Sequence, residues 1–389
     1  MVKTFFYIKI ISVLLVLLIS LFFIYKKEYY NIPLIILLII ALIITLYLGI
    51  RNMNRFDWLA TECAHERFPM QIVRGDFIFK NGSSFYIPDG YESYRGWGEE
   101  GTTHVAGETF KPIPAKLYIH WFSFIEDKFY EGTFDLPYDK ILKLFREGIE
   151  DPDGNGRNNY RRIMVGLAPE GEISVFLSGI GATVEVVNNL RAKEVQTDWK
   201  KLTTNRRDRY IRMFLCGILN DTENMLSEEK EKMLDEAMDD KKVDKVIKEG
   251  IPKGLMDSYR QQYPWKPIMT NCKPDYMLIR TFNGEFECYN FINPINTRIN
   301  RGIPKKLEAS WWDLKGTEYY AEILLNEEKT ITDFENFFKD VTDEETEIEF
   351  VFVEKPRTLN RSKVLRTLDI YLKNSESQVK LEIDSIELE

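Results

Sequence analysis

Asp151-Pro152-Asp153-Gly154-Asn155-Gly156 has the spacing of the first half of a calcium loop. Oxygens of Asp151, Asp153 and Asn155 stand at alternate positions, and the glycine at the sixth permits the sharp turn such a loop needs. The twelfth position, where a bidentate Glu would close the shell, is Arg162, and Arg157 and Arg161 add charge of the wrong sign. The segment is therefore a weak metal candidate, and an Asp/Asn/Gly turn is the better account. Hydrolytic chemistry has still less support. The chain has three histidines, His65, His104 and His120, and neither a Gly-x-Ser-x-Gly elbow nor a His-Glu-x-x-His helix. Cys63, Cys216, Cys272 and Cys288 are too far apart for a zinc site and read as free thiols. Gly96-Trp97-Gly98 with Gly101 lacks the strand–helix setting of a phosphate cradle and reads as a flexible surface loop. No catalytic residue, cofactor or enzyme activity is expected.

The elements that would position any site are more informative, because they repeat. Ile113-Pro114-Ala115-Lys116-Leu117-Tyr118-Ile119-His120-Trp121-Phe122 aligns without a gap on Ile303-Pro304-Lys305-Lys306-Leu307-Glu308-Ala309-Ser310-Trp311-Trp312, 190 positions later. The same offset sets Phe129-Tyr130 on Tyr319-Tyr320 and Ile141 on Ile331. Both copies follow an Asn-Gly hairpin, at Asn81-Gly82 and Asn283-Gly284, and both lead into an apolar-faced helix, through Ile141, Leu142 and Phe145 or through Ile331, Phe334 and Phe337. The expected fold class is α+β: two related, mainly antiparallel sheet-plus-helix units with a helical insertion between them, preceded by a two-helix transmembrane hairpin. The expected boundaries are 1–55 for the hairpin, 56–200 for the first unit, 201–264 for a helical connector and 265–389 for the second unit. Aromatics concentrate in the repeat, so Trp121, Tyr130, Trp311, Trp312 and Tyr320 are the candidates for a partner-binding surface, with core packing as the competing reading for each.

Residues 5–25 and 32–50 are apolar runs, each long enough to cross a bilayer as a helix. They make an inner-membrane location the expectation, with the flanking lysines and arginines leaning slightly toward a cytoplasmic soluble region. Lys3, Lys9, Lys26 and Lys27 against Glu28 give the first 50 residues a net +3, which leaves −12 on the rest of a chain of net charge −9. That acidity argues against a nucleic-acid surface, which needs clustered Lys and Arg, so no nucleic-acid partner is expected.

Phe56-Asp57-Trp58-Leu59-Ala60-Thr61-Glu62, Phe68-Pro69-Met70, Pro114-Ala115-Lys116-Leu117, Val165-Gly166-Leu167-Ala168-Pro169-Glu170-Gly171, Gly250-Ile251-Pro252 and Tyr263-Pro264-Trp265 occur in an order that resembles a family of bacterial envelope proteins known as a domain of unknown function. Many of its members look like lipoproteins and are encoded beside type VI secretion phospholipase effectors. The resemblance implies an immunity protein that binds and neutralises such a lipase, with its soluble region in the periplasm. Here Cys63 lacks a lipoprotein cleavage sequence before it. The alternative is a structural or sensory envelope protein that docks another membrane-associated complex through its acidic domain.

Overall fold

The computed structural model describes residues 54–388, except 91, 94, 127, 152–155, 198–249, 293–298, 340–345 and 357–363, together with Ile36, Ile39, Ile40 and Ile43. The strands of the first half are β1 (Arg55–Asp57), β2 (Leu59–Ala64), β3 (Met70–Phe79), β4 (Ser84–Tyr86), β5 (Glu92–Ser93), β6 (Phe110–Pro112), β7 (Pro114–Ser123) and β8 (Lys128–Asp135). Helix α1 (Tyr138–Glu147) follows, then β9 (Ile149–Glu150), β10 (Arg157–Asn158), β11 (Tyr160–Ala168), β12 (Glu172–Gly179), β13 (Ala182–Arg191) and β14 (Lys193–Val195). The second half opens with α2 (Leu255–Tyr259), β15 (Gln262–Thr270), β16 (Lys273–Thr281), β17 (Phe286–Asn290), β18 (Ile299–Gly302), β19 (Pro304–Trp312) and β20 (Glu318–Leu325). It closes with α3 (Glu327–Phe338), β21 (Thr346–Pro356), β22 (Val364–Lys373), β23 (Gln378–Lys380) and β24 (Ile383–Leu388).

This architecture corrects the expected fold class. Strands hold 57% of the described residues, so the protein is β-rich rather than α+β. The helical pattern at Ile141, Leu142 and Phe145 is real, but among the described residues each half has only one longer helix, beside fourteen strands in the first half and ten in the second. The expected membrane hairpin and inner-membrane location are corrected too, since among the described residues no helix is long and apolar enough to cross a membrane. Residues 5–25 lie outside the described residues, as do those of 32–50 apart from Ile36, Ile39, Ile40 and Ile43, which are helical and exposed. Most of the expected helical connector at 201–264 is also outside them; the part described contains α2 and the start of β15.

Contacts divide the chain into two compact units, residues 1–57 with 107–113, and residues 58–106 with 114–389. In the first, β1 pairs antiparallel with β6, and Arg55 donates to the Phe110 carbonyl at 2.9 Å and pairs with Glu108. All further description concerns the second unit.

Within it, the two halves repeat one topology. The strand order β14-β8-β7-β3-β4 has its counterpart in β24-β20-β19-β16-β17, and β2-β11-β12-β13 has its counterpart in β15-β21-β22-β23. Every neighbour is antiparallel except β2·β11 and β15·β21, which are parallel in both halves. In each half the helix follows the equivalent strand, β8 or β20. The halves are not separate sheets, however. The outer strand β13 of the first half pairs with β17 of the second, Thr183 opposite Phe286 and Ala182 opposite Glu287, which fuses four strands and five strands into one nine-stranded sheet. The Cys288 amide extends the join by donating to the Gly181 carbonyl at 3.1 Å.

Alternation explains which side chains fill the core. Leu117, Ile119 and Trp121 on β7, and Leu307, Ala309 and Trp311 on β19, are fully buried at every second position. Trp265, Phe350, Ile370 and Leu372 from the opposing sheet and Phe334 from α3 join the second set, and Trp97, Met164 and Phe176 of the first half belong to the same cluster. A polar tie crosses this interior. Arg67 donates to the Tyr259 hydroxyl at 2.9 Å and to Glu327 at 2.5 Å, the hydroxyl donates to Glu327 at 2.7 Å, and His65 Nε2 lies 3.0 Å from the same hydroxyl. Asn326 caps α3 by accepting from the Lys329 amide, which leaves Glu327 in the first helical turn, where a carboxylate suits the helix dipole.

Trp121→Ala or Trp311→Ala is expected to lower stability by about 3–5 kcal/mol in urea unfolding, the usual loss for truncating a buried tryptophan. Trp312→Ala, on the half-exposed neighbour, is expected to cost under about 1 kcal/mol, and equal losses at all three would contradict this assignment of faces.

Candidate partner-binding face

The residues of β16, β19 and β20 that alternate with the core positions form the opposite face of the sheet. Register sets Tyr276, Ser310 and Tyr320 side by side across three strands, then Leu278, Glu308 and Glu322, then Arg280, Lys306 and Leu324. Two tyrosines thus flank a small buried serine. The Tyr320 hydroxyl donates to Glu308 at 3.0 Å, and Lys306 pairs with Glu322 at 2.6 Å and with Glu308 at 3.5 Å. The Lys273 ammonium lies 5.5 Å from the centre of the Trp312 ring, and the Arg280 guanidinium 4.7 Å from that of Phe286. Leu314 stands 84% exposed at the tip of the β19–β20 connection. Burial, and then the Glu308 hydrogen bond, push the Tyr320 hydroxyl up to about 12, and the carboxylates beside Lys306 hold its ammonium above the usual range against the opposing effect of burial. Neither group is poised for proton transfer near neutral pH. Half-buried aromatics held by satisfied charged groups instead suit contact with another protein, whose affinity rests on a few rigid aromatic anchors inside a polar rim.

The first half has the same face in altered form. Tyr118 donates to Glu131 at 2.6 Å, Arg74 lies over the Tyr118 ring at 5.7 Å, and His120 Nε2 meets the Thr197 hydroxyl at 3.2 Å. Partial burial lowers the His120 pKa, with Glu131 acting against it. Tyr118 and Glu308 occupy equivalent positions on β7 and β19, and Glu131 and Tyr320 do so on β8 and β20. The tyrosine and the glutamate have exchanged places between the halves while the hydrogen bond persists.

That equivalence requires an offset of 189 after the hairpin, not 190. Six residues separate the opposed pair Phe122 and Phe129, whereas five separate Trp312 and Glu318. Tyr130 therefore corresponds to Tyr319, and Phe145 of α1 to Phe334 of α3. A slip of one residue moves a strand side chain to the other face, which is why Tyr319 packs on Trp311 at 5.8 Å while Tyr320 faces outward.

Of the five expected partner-binding residues, the face holds only Trp312 and Tyr320. Trp121, Tyr130 and Trp311 are corrected to core: Trp121 packs on Tyr130 at 5.4 Å, and the Tyr130 hydroxyl donates to Glu126 at 2.8 Å. Tyr276, Leu278 and Glu308 complete the face and were missed, although their alternation within strands read from the sequence could have placed them there. Of the calcium candidates, Asp153 and Asn155 lie outside the described residues, and the Asp151 amide closes a turn onto the Gly156 carbonyl at 3.0 Å. Among the described residues no cluster of His, Cys, Asp and Glu could hold a metal ion. Cys63 and Cys272 are free thiols, and burial pushes the Cys272 thiol up to about 11. The expected surface loop at Gly96-Trp97-Gly98 is instead internal: Trp97 is buried, meets Phe176 edge-on at 5.6 Å, and crowds both Gly166 and Gly284.

A β-rich chain built from two like-ordered halves, with an aromatic and charged sheet face, is thus the class that fold and face define. Residues 49–254 match the family described as Protein of unknown function (DUF2931), and the chain belongs to that family. No curated protein and no solved structure matches it.

The exchanged pair makes a sharp prediction. Glu308→Tyr and Tyr320→Glu should each destabilise the protein by about 0.5–1.5 kcal/mol, the worth of a hydrogen bond to a charged group at a half-exposed site. The double exchange should recover most of the loss, because it recreates the order found at Tyr118 and Glu131. Simple additivity in a double-mutant cycle would contradict the equivalence.

Proposed function

We propose that this chain is an immunity protein that binds and neutralises a type VI secretion phospholipase-type effector, using the open face of the β16–β19–β20 region as part of its contact surface. The observation that carries the reading is the assembly of Trp312, Tyr276 and Tyr320 on one half-exposed face, where Glu308, itself paired with Lys306, holds the Tyr320 hydroxyl and Lys273 lies over the Trp312 ring. Such a face costs little side-chain entropy on binding at Tyr320 and Trp312, which already rest against Glu308 and Lys273. The resemblance of the motifs from Phe56 to Trp265 to proteins encoded beside such effectors supplies the kind of partner. Inhibition then follows from occlusion: a rigid surface that covers the mouth of a lipase excludes its substrate without chemistry of its own.

The test is co-expression of the chain with a type VI secretion phospholipase effector from the same genome, read as survival of the producing cells. Protection is expected with the native chain. A Trp312→Ala/Tyr320→Ala double variant, still folded by circular dichroism, should bind at least about tenfold more weakly, equivalent to 1.4 kcal/mol. Full toxicity in the presence of the folded native chain would overturn the reading. Recovery of an envelope-assembly protein in place of a lipase would favour a docking role in that machinery.

A further inference from the structure

Among the described residues, the join between the halves leaves its own counterpart edges open. β17 uses the outward backbone groups of Phe286 and Cys288 to pair with β13. Its equivalent in the first half is β4, which keeps the same register on β3 as β17 keeps on β16, with Ser84 and Tyr86 in the places of Phe286 and Cys288. The equivalent of β13 in the second half is β23, where Gln378 and Lys380 present their backbone groups outward. Among the described residues, β4 pairs only with β3 and β23 only with β22.

The two Asn-Gly turns show what is missing. Asn283 and Gly284 are buried, and a side chain on Gly284 would meet Gly98 and Trp97 of the first half within about 3 Å. Asn81 and Gly82 have the same sequence and the same positive φ at glycine, yet both are exposed and no described residue approaches a side chain placed on Gly82. Among the described residues, the same turn is covered in one half and exposed in the other.

We propose that β23 of one copy pairs antiparallel with β4 of a second copy, continuing between molecules the edge contact that joins the halves within one. The contact is heterologous, so each molecule offers one donor edge and one acceptor edge, and association proceeds head to tail. Both edges are three residues long, as protective edges are, and the seam is correspondingly weak and concentration-dependent.

Proline at an outward-facing position removes a backbone donor to the neighbour and leaves the ladder inside the molecule intact, at the cost of the exposed side-chain bonds of Ser84 to Asp76 and of Lys380 to Asp369. Masses of the full-length chain by light scattering, from micromolar to submillimolar concentration, should rise above the monomer. Ser84→Pro and Lys380→Pro should each be monomeric alone, since neither preparation contains both intact edges. Mixed in equal amounts they should form a dimer and nothing larger, because one supplies β23 and the other β4. A native chain that stays monomeric, variants that associate as the native chain does, or a mixture that stays monomeric would each overturn the proposal. If either proline variant unfolds, Ser84→Lys/Gln378→Lys should be monomeric and Ser84→Lys/Gln378→Glu should associate; equal masses for the two would overturn it in the same way.

Discussion

Gly98 and Gly284 touch backbone to backbone, and the arrangement of the molecule depends on that contact. A side chain on Gly98 would lie 2.0 Å from the Gly284 carbonyl oxygen, and both residues hold a positive φ that other residues rarely adopt. The approach brings the turn of the second half under Trp97 and aligns β17 with β13, so two four- and five-stranded sheets become one. Only two register pairs make the join. Its strength comes from the apolar cluster beneath, where Trp97 and Phe176 of one half meet the core of the other. Burial of large aromatics is non-directional, and the glycine contact gives it a register.

The same division of labour recurs on each strand. One set of alternate residues supplies Trp121 and Trp311 to the interior, and the other supplies a face of tyrosines, carboxylates and lysines. The exchange of Tyr118 and Glu131 for Glu308 and Tyr320 shows that this face tolerates a change of residue type as long as the pair is kept, whereas the core positions keep their tryptophans. Duplication also gives the two outer faces different histories. In the first half, Thr197 beyond β14 reaches His120; in the second, the corresponding place is the small Ser310, with Trp312 and Leu314 left open beyond it.

Much of this was legible in the residues. The Asn-Gly turns, the paired strands around Trp121 and Trp311, and helix α1 follow from local chemistry with short reach. The turns proved to be three-residue connections, Phe79 bonding to Ser83 and Thr281 to Glu285, with glycine at positive φ in both. Long-range pairing was not legible: nothing local says that β2 lies parallel to β11 or that β13 meets β17. The glycines around Trp97 looked like freedom and were in fact close approach, two uses of glycine that a sequence alone does not separate. The single-residue shortening before Tyr319 was hidden by the doublet Tyr319-Tyr320, because Tyr130 meets a tyrosine at either offset. It decided which tyrosine reaches the face. The helix signal was right in place and wrong in weight, since two amphipathic helices are conspicuous in a sequence and minor beside the twenty-four strands of the described residues.

The central claim is that the two halves form one cooperative structure through the Gly98–Gly284 join. Hydrogen exchange of the native chain against Gly284→Val, followed on peptides covering β12 and β19, tests it most directly. The account predicts that protection falls in both peptides together, because strands of both halves share one sheet and one core. Loss confined to β19, with β12 exchanging as in the native chain, would contradict it.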